Sequence, residues 1–245
     1  MKIILKNRIN VTPRRRAFTL VELLVVISII GVLAALTIPL AGSVARTKKI
    51  NTAQAEMQQI ETALENYKAK YGVYPPSNPT NAILNTLFFE LSGVTNANGY
   101  YTNLDSLAYA ANNEYTGEFK VGGIVNCSSG TSGEDAADTK YAKDFLPGLK
   151  ATQVVIATNS LYPNSQFGFL VTSVGGPDLN YQPFGSIPGN PFRYTYPGTN
   201  NPNGYDLWVQ LSINSGFSSV NVFTTTNLYL ICNWNQQVQH NNPAP

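Results

Sequence analysis

One feature constrains this chain more than any other: an apolar run from Leu20 to Ile38 whose single charged residue is Glu22, near its start. The run is close to the ~20 residues that a membrane-spanning helix requires. A soluble core helix is rarely apolar on every side. Flanking charge sets a direction. Lys2, Lys6, Arg8, Arg14, Arg15 and Arg16 precede the run with no acid among them, and Arg46, Lys48 and Lys49 follow it. The positive-inside rule then leaves the N-terminus cytoplasmic and exports the rest. An ordinary secretory signal places its small-residue cleavage site after the apolar stretch. Here the small residue preceded by a basic block is Ala17, which comes before it.

The segment Arg16-Ala17-Phe18-Thr19-Leu20-Val21-Glu22 resembles the cleavage and methylation segment of type IV prepilins and type II secretion pseudopilins. That resemblance implies a cut between Ala17 and Phe18 on the cytoplasmic face by a prepilin peptidase and methyltransferase. It also implies N-methylation of the new Phe18 amine and retention of the apolar helix in the mature protein. The family usually has Gly where this chain has Ala17. Ala is the next smallest side chain, so processing is expected to survive, more slowly.

Glu22 then acquires a physical reason. An intramembrane carboxylate costs roughly 2.5 to 3.5 kcal/mol on insertion scales unless it lies near an interface or finds a partner. The resemblance supplies the Phe18 amine of a neighbouring subunit as that partner. A subunit out of register would leave both charges unpaired in an apolar filament core. The alternative is a Glu22 that snorkels to the headgroups.

Composition bounds the remainder. With 245 residues the chain has room for an N-terminal helix and one globular domain, and no internal repeat or second domain is evident. Charged residues make up 12%, about half the ~25% of soluble domains. Loss of the six basic residues before Phe18 leaves ten Lys and Arg against 14 Asp and Glu, which turns a formal charge of +2 into −4. No basic patch for nucleic acid remains.

Past the apolar run, Ile50, Ala53, Met57, Ile60, Leu64, Tyr67 and Tyr71 recur at steps of three and four, one stripe of an amphipathic helix. Gly72 suits a left-handed cap, and "VYPP" forbids continuation. A continuous helix from Phe18 to Tyr71 would be about 80 Å long, more than one small domain can cover. Pro39 inside it removes a backbone hydrogen bond and is expected to kink or locally melt the chain. The family resemblance implies a stretch that unwinds in filaments.

Between Pro75 and Lys150, helical spacing over Asn81 to Gly93 is followed by turn-rich segments. Beyond Lys150, "TQVVIAT", "FGFLVTS", "FRYTY", "YDLWVQLS" and "LYLICNW" read as short strands. The expected class is α+β: a type IV pilin-like arrangement, with a long N-terminal helix, transmembrane then amphipathic, packed on one C-terminal antiparallel sheet. The expected segments are a cleaved leader at 1–17, a transmembrane half-helix at 18–40, an amphipathic half at 41–72, an exported globular domain at 73–235 and a disordered tail at 236–245.

"GNPFRYTYPGTNNPNGYDLWV", from Gly189, resembles the C-terminal hairpin of major pseudopilins. Gln182, Pro183, Phe184 and Gly185 stand in place of an acidic, Trp-containing turn of that family, and Ser186 to Pro188 look inserted. Many relatives bind calcium after the Tyr-Asp-Leu strand through acidic side chains. Here that loop reads "VQLSINSGFSSVN", without a carboxylate. Calcium takes six to eight oxygens and usually several carboxylates, so no metal site is carried over. Glu134, Asp135, Asp138 and Asp144 lack calcium-loop spacing and read as a solvated loop.

Catalytic patterns are nearly absent. His240 is the single histidine, beside the "NNPAP" tail, and the Gly-rich "VGGIV" and "VGGPD" lack the features of a phosphate loop. Cys127 and Cys232 are too few for a zinc site. In an exported compartment they either pair or remain free thiols. No enzyme, cofactor or metal is expected.

Two function classes remain. The first is a structural filament subunit, most consistent with a type II secretion pseudopilin. Its expected partners are further copies and other pilin-like subunits, the prepilin peptidase, membrane lipid, and an inner-membrane assembly platform with its cytoplasmic ATPase. The second is a minor pilin or membrane-tethered binding module that displays a Tyr- and Asn-rich surface.

Overall fold

The computed structural model describes residues 18–129, 141–174, 189–213 and 228–240, without the side chains of 36–43. Two compact units divide the chain, Met1–Val44 and Ala45–Pro245. Helix α1, Leu20–Tyr71, holds 52 residues. Its end is the one the sequence predicts: Gly72 has φ +78° and donates its N–H to the Lys68 carbonyl at 2.7 Å, the left-handed stop that glycine adopts without strain. Lys68 and Lys70 lie in the last turn, where cations favour the helix dipole.

In the second unit the predicted stripe faces the core. Ala53, Met57, Ile60, Leu64 and Tyr67 are buried, and Ile50 and Tyr71 flank them half-buried. The helix expected from Asn81 contracts to α2, Leu87–Ser92. Asparagine chemistry is the reason. The Asn78 side-chain Oδ1 accepts from the Thr80 and Asn81 amides, the Asn81 side chain from the Ile83 amide, and Asn85 Nδ2 donates to the Ala82 and Phe192 carbonyls. Such local bonds offer the backbone an alternative to helix.

The next segment is more ordered than its turn-rich sequence suggests. β1 (Val94–Ala97), β2 (Tyr100–Asn103) and β3 (Tyr109–Ala111) form an antiparallel meander, followed by α3 (Asn112–Phe119) and β4 (Cys127–Ser129). Asn98 and Gly99, at φ +53° and +80°, make the two-residue turn between β1 and β2, as an Asn-Gly pair favours. A 3₁₀ turn at Ala151–Gln153 leads to the hairpin of β5 (Val154–Asn159) and β6 (Tyr162–Leu170).

β7 (Arg193–Thr195), β8 (Asp206–Ser212), β9 (Leu228–Cys232) and β10 (Asn235–His240) complete the chain. Two sheets result, a six-stranded one in the order β4-β1-β2-β3-β6-β5 and a four-stranded one in the order β10-β9-β8-β7. The single sheet expected from sequence is thus corrected to two, linked by a bridge between Val171 and Pro191. Nor is the first wholly antiparallel, since β1 and β4 run parallel. β10 occupies residues that the sequence assigns to a tail. It pairs with β9, and the His240 ring packs on Tyr229 at 4.7 Å. The expected C-terminal hairpin is present as β7 and β8, with Arg193 opposite Trp208 and Thr195 opposite Asp206. Asp206 folds the intervening loop by accepting the Asn200 and Asn201 amides at 2.8 and 2.9 Å.

Two contacts explain how the layers hold. Gly168 of β6 lies directly beneath the Phe88 ring of α2, so that an added Cβ would overlap it. Glu90 of α2 is fully buried. Its carboxylate accepts the Val125 amide (3.0 Å), the Asn126 amide (3.0 Å) and the Tyr67 hydroxyl (2.9 Å). Asn126 extends the network: its Nδ2 donates to the Glu90 and Lys143 carbonyls, and its Oδ1 accepts the Tyr71 hydroxyl at 2.7 Å. The last turns of α1 are therefore tied to α2 and to the segments around residues 126 and 143. Burial raises the Glu90 pKa against the pull of its donors. Burial and the Glu90 charge push Tyr71 up to about 12 and Cys127 up to about 11.

Gly168→Ala should destabilise the detergent-solubilised chain by about 1–3 kcal/mol in chemical denaturation, the cost of overpacking. A raised Glu90 pKa means that folding favours the neutral acid. Stability is then full below the unfolded value of about 4.3 and is lost as pH rises through the folded value. Burial raises Glu61, Glu118 and Asp144 in the same direction. Urea midpoints should accordingly fall as pH rises above the unfolded carboxylate range. Glu90→Gln, which turns an amide NH2 toward one of the donors, should lose about 1–3 kcal/mol and flatten that fall.

Candidate assembly and processing segment

In the first unit, Phe18 and Thr19 precede the first helical residue, Leu20. Thr19 caps the helix in both directions. Its hydroxyl oxygen accepts the Glu22 amide at 3.2 Å, while Glu22 Oε2 accepts the Thr19 amide at 2.8 Å and the Thr19 hydroxyl at 2.9 Å. The Thr19 carbonyl accepts the Leu23 amide at 3.2 Å. This is a reciprocal capping box, which satisfies donors that every helix start leaves open. Thr19 was not singled out from sequence. Its signal was legible as Thr-x-x-Glu immediately before an apolar run.

Glu22 is thus not a bare carboxylate, having a partner within its own first turn. Around it the apolar side chains lack cover. Large apolar residues from Phe18 to Leu33 are exposed by 45% (Val26) to 78% (Phe18, Leu20). Ser28, a polar residue in this stretch, returns its hydroxyl to the Leu24 carbonyl at 2.8 Å and so presents no unsatisfied donor. Such a surface demands lipid or protein against it. Among the described residues no helix is long and apolar enough to cross a membrane. The described apolar side chains stop at Ala35, short of the ~20 that a span needs; those of 36–43, Pro39 included, lie outside the described residues. Ala17 and the basic leader also lie outside them.

The remaining candidates do not converge on this segment. Cys127 and Cys232 are free thiols, so the pairing considered from sequence is not formed. Cys127 lies in β4 of the six-stranded sheet, and Cys232 packs in β9 of the other, with Trp208 and Leu230. Among the described residues no group of three or more His, Cys, Asp or Glu side chains is arranged to hold a metal. Glu134, Asp135 and Asp138 lie outside the described residues, as does most of the loop after β8; Asp144 is described and caps the Leu146 amide at 2.8 Å.

Residues 12–38 match the prokaryotic N-terminal methylation motif. The chain carries a prepilin-type N-terminal segment and is similar over part of its length to pilin-like proteins. It is 43% identical over 68 residues to the type II secretion system core protein G of Escherichia coli K12, covering 27% of this chain and 46% of that one. A protein of the same name in Pseudomonas aeruginosa is 37% identical over 62 residues, 25% and 44% of the two chains. The fimbrial protein EcpB of Eikenella corrodens is 37% identical over 67 residues, 27% and 42%. The chain therefore spans less than half the length of each of these relatives. No solved structure matches it.

Proposed function

We propose that this chain is a structural subunit of a type II secretion pseudopilus. In this reading a prepilin peptidase cuts it between Ala17 and Phe18 and methylates the Phe18 amine. The subunit waits in the bacterial inner membrane and polymerises with further copies through its N-terminal helix. An assembly platform and a cytoplasmic ATPase drive that step, and the domain from Ala45 onward is carried outside. The observation that carries the reading is the coincidence of the methylation motif over residues 12–38 with an apolar helix uncovered on every side. The fimbrial relative favours a second reading, a pilus rather than a secretion pseudopilus, built by the same assembly chemistry. A minor pilin displaying a binding surface shares that anchor too.

Assembly needs a counter-charge for the Phe18 amine, and Glu22 of the neighbouring subunit is assigned to it. Glu22→Val should leave insertion intact, because an expensive charge has been removed. Cleavage should continue, because leader and junction are unchanged. Filaments should be lost, since a pair broken from one side costs about 3 to 5 kcal/mol. The check is the ratio of sheared filaments to processed, membrane-retained subunit in wild type and variant. Normal filament yield would refute the pairing and leave snorkelling as the explanation for Glu22.

A further inference from the structure

The six-stranded sheet is built without a charged side chain. None of its strands β4, β1, β2, β3, β6 and β5 contains Asp, Glu, Lys, Arg or His, although solvated sheet faces ordinarily use such residues for solubility and to blunt edges. The register sets what takes their place. Thr95 pairs with Ser128 on one side and with Thr102 on the other, Thr102 with Tyr109, and Tyr109 with Gln166. Directly paired residues share a face. Ser128, Thr95, Thr102, Tyr109 and Gln166 therefore form one row across five strands, about 19 Å long at ~4.8 Å per strand. Two residues along, Ala97, Tyr100 and Ala111 form a second row on the same face. The alternate residues Val94, Asn103 and Ala110 are buried, and Tyr101 packs against buried Tyr115, so the opposite face is the one turned to the core.

Tyr100 and Tyr109 are 40% and 37% exposed. They are diagonal neighbours on β2 and β3, with Cβ atoms about 7–8 Å apart, and the alanines beside Tyr100 are too short to cover its ring. Among the described residues neither hydroxyl has a hydrogen-bond partner and neither ring a stacking partner. The Thr95 and Ser128 hydroxyls donate to the Thr102 and Val94 carbonyls at 3.4 Å, which leaves their oxygens free to accept. A ligand for this face must offer apolar surface to two rings, hydrogen-bonding groups to the row beside them, and no charge. Phosphates of nucleic acid or anionic lipid would meet no cation there. A hydrocarbon surface would strip water from hydroxyls and an amide without replacing their bonds. Ordinary protein surface, about a quarter of it charged, would bury charges without partners. Sugar rings present C–H faces to tyrosine and hydroxyls to Thr, Ser and Gln, and so satisfy all three demands. Rigid tyrosines interleaved with short polar side chains are also the composition of adaptable recognition surfaces.

We propose that the outer face of the six-stranded sheet, centred on Tyr100 and Tyr109, binds a neutral polysaccharide. Such binding resides in the domain from Ala45 onward and is independent of which filament the N-terminal helix builds.

The experiment incubates the full-length chain, in a detergent without a sugar headgroup, with insoluble cellulose, chitin and mannan, and with heparin beads as an anionic control. At least one neutral polymer should retain the chain, equally well at about 0.05 M and about 0.5 M NaCl, because no ion pair is there to be screened. Tyr100→Ala combined with Tyr109→Ala should lower that affinity about ten-fold or more, as truncation of central aromatic contacts does, with the urea midpoint unchanged. Gln166→Ala should lower it about five-fold, the loss of one hydrogen bond. Leu161→Ala, in the turn between β5 and β6 and 77% exposed, should bind as wild type. Retention on none of the three neutral polymers overturns the proposal. Retention that the double tyrosine variant leaves intact, that heparin alone shows, or that salt abolishes overturns it as well. Oligomers that form without polysaccharide and dissociate in the double variant would overturn it in favour of a second copy of the chain on this face.

Discussion

One helix answers to two solvents, and the rest of the structure depends on where it changes over. Up to Ala35 the described side chains of α1 are apolar on every face and uncovered; from Ile50 the apolar residues retreat to one stripe, which the domain buries. Burial of that stripe, at roughly 25 cal/mol per Å² of apolar area, is what lets the domain fold on the helix. Polar ties then fix its position. Tyr67 and Tyr71 reach Glu90 and Asn126, and Glu56, farther up the helix, accepts the Thr172 hydroxyl at 2.6 Å and the Ser173 amide at 3.1 Å. A buried carboxylate such as Glu90 is expensive unless its lone pairs are met. Meeting them from two segments, α1 and the stretch at Val125 and Asn126, makes the end of α1 specific rather than merely greasy.

Much of this was legible in the sequence where hydrophobic period and punctuation agreed. The stripe from Ile50 to Tyr71, the stop at Gly72 and the strands β5, β7, β8 and β9 all combine a clear period with Gly, Pro or Asn at their ends. The failures have physical causes as well. Strands β1 to β4 are three or four residues long, and β1, β2 and β4 carry Asn, Thr or Ser at half or more of their positions, too short for alternation to emerge. β10 reads as a tail because an edge strand of Asn, Gln and His has little apolar signal, and its pairing with β9 is a tertiary fact. The helix expected from Asn81 yielded to side-chain bonds from Asn78, Asn81 and Asn85 that periodicity does not weigh. The division into two sheets follows from which strands meet across long loops, something no local pattern encodes.

The N-terminal segment shows the same limits on a smaller scale. The match over residues 12–38 supports the prepilin-type segment that its basic leader, lone acid and apolar run resemble, while among the described residues no helix is long and apolar enough to cross a membrane. Hydropathy alone treats Glu22 as a cost. Geometry adds that Thr19 meets part of that cost within the chain and leaves one carboxylate oxygen open.

In the proposed filament subunit the apolar helix is kept in the working protein rather than discarded with a signal. Mass spectrometry of the N-terminal peptide from purified mature protein tests it most directly. The expected mature chain begins at Phe18 with one methyl group on its amine. A mature chain beginning beyond Ile38, as ordinary signal cleavage would leave, would contradict it.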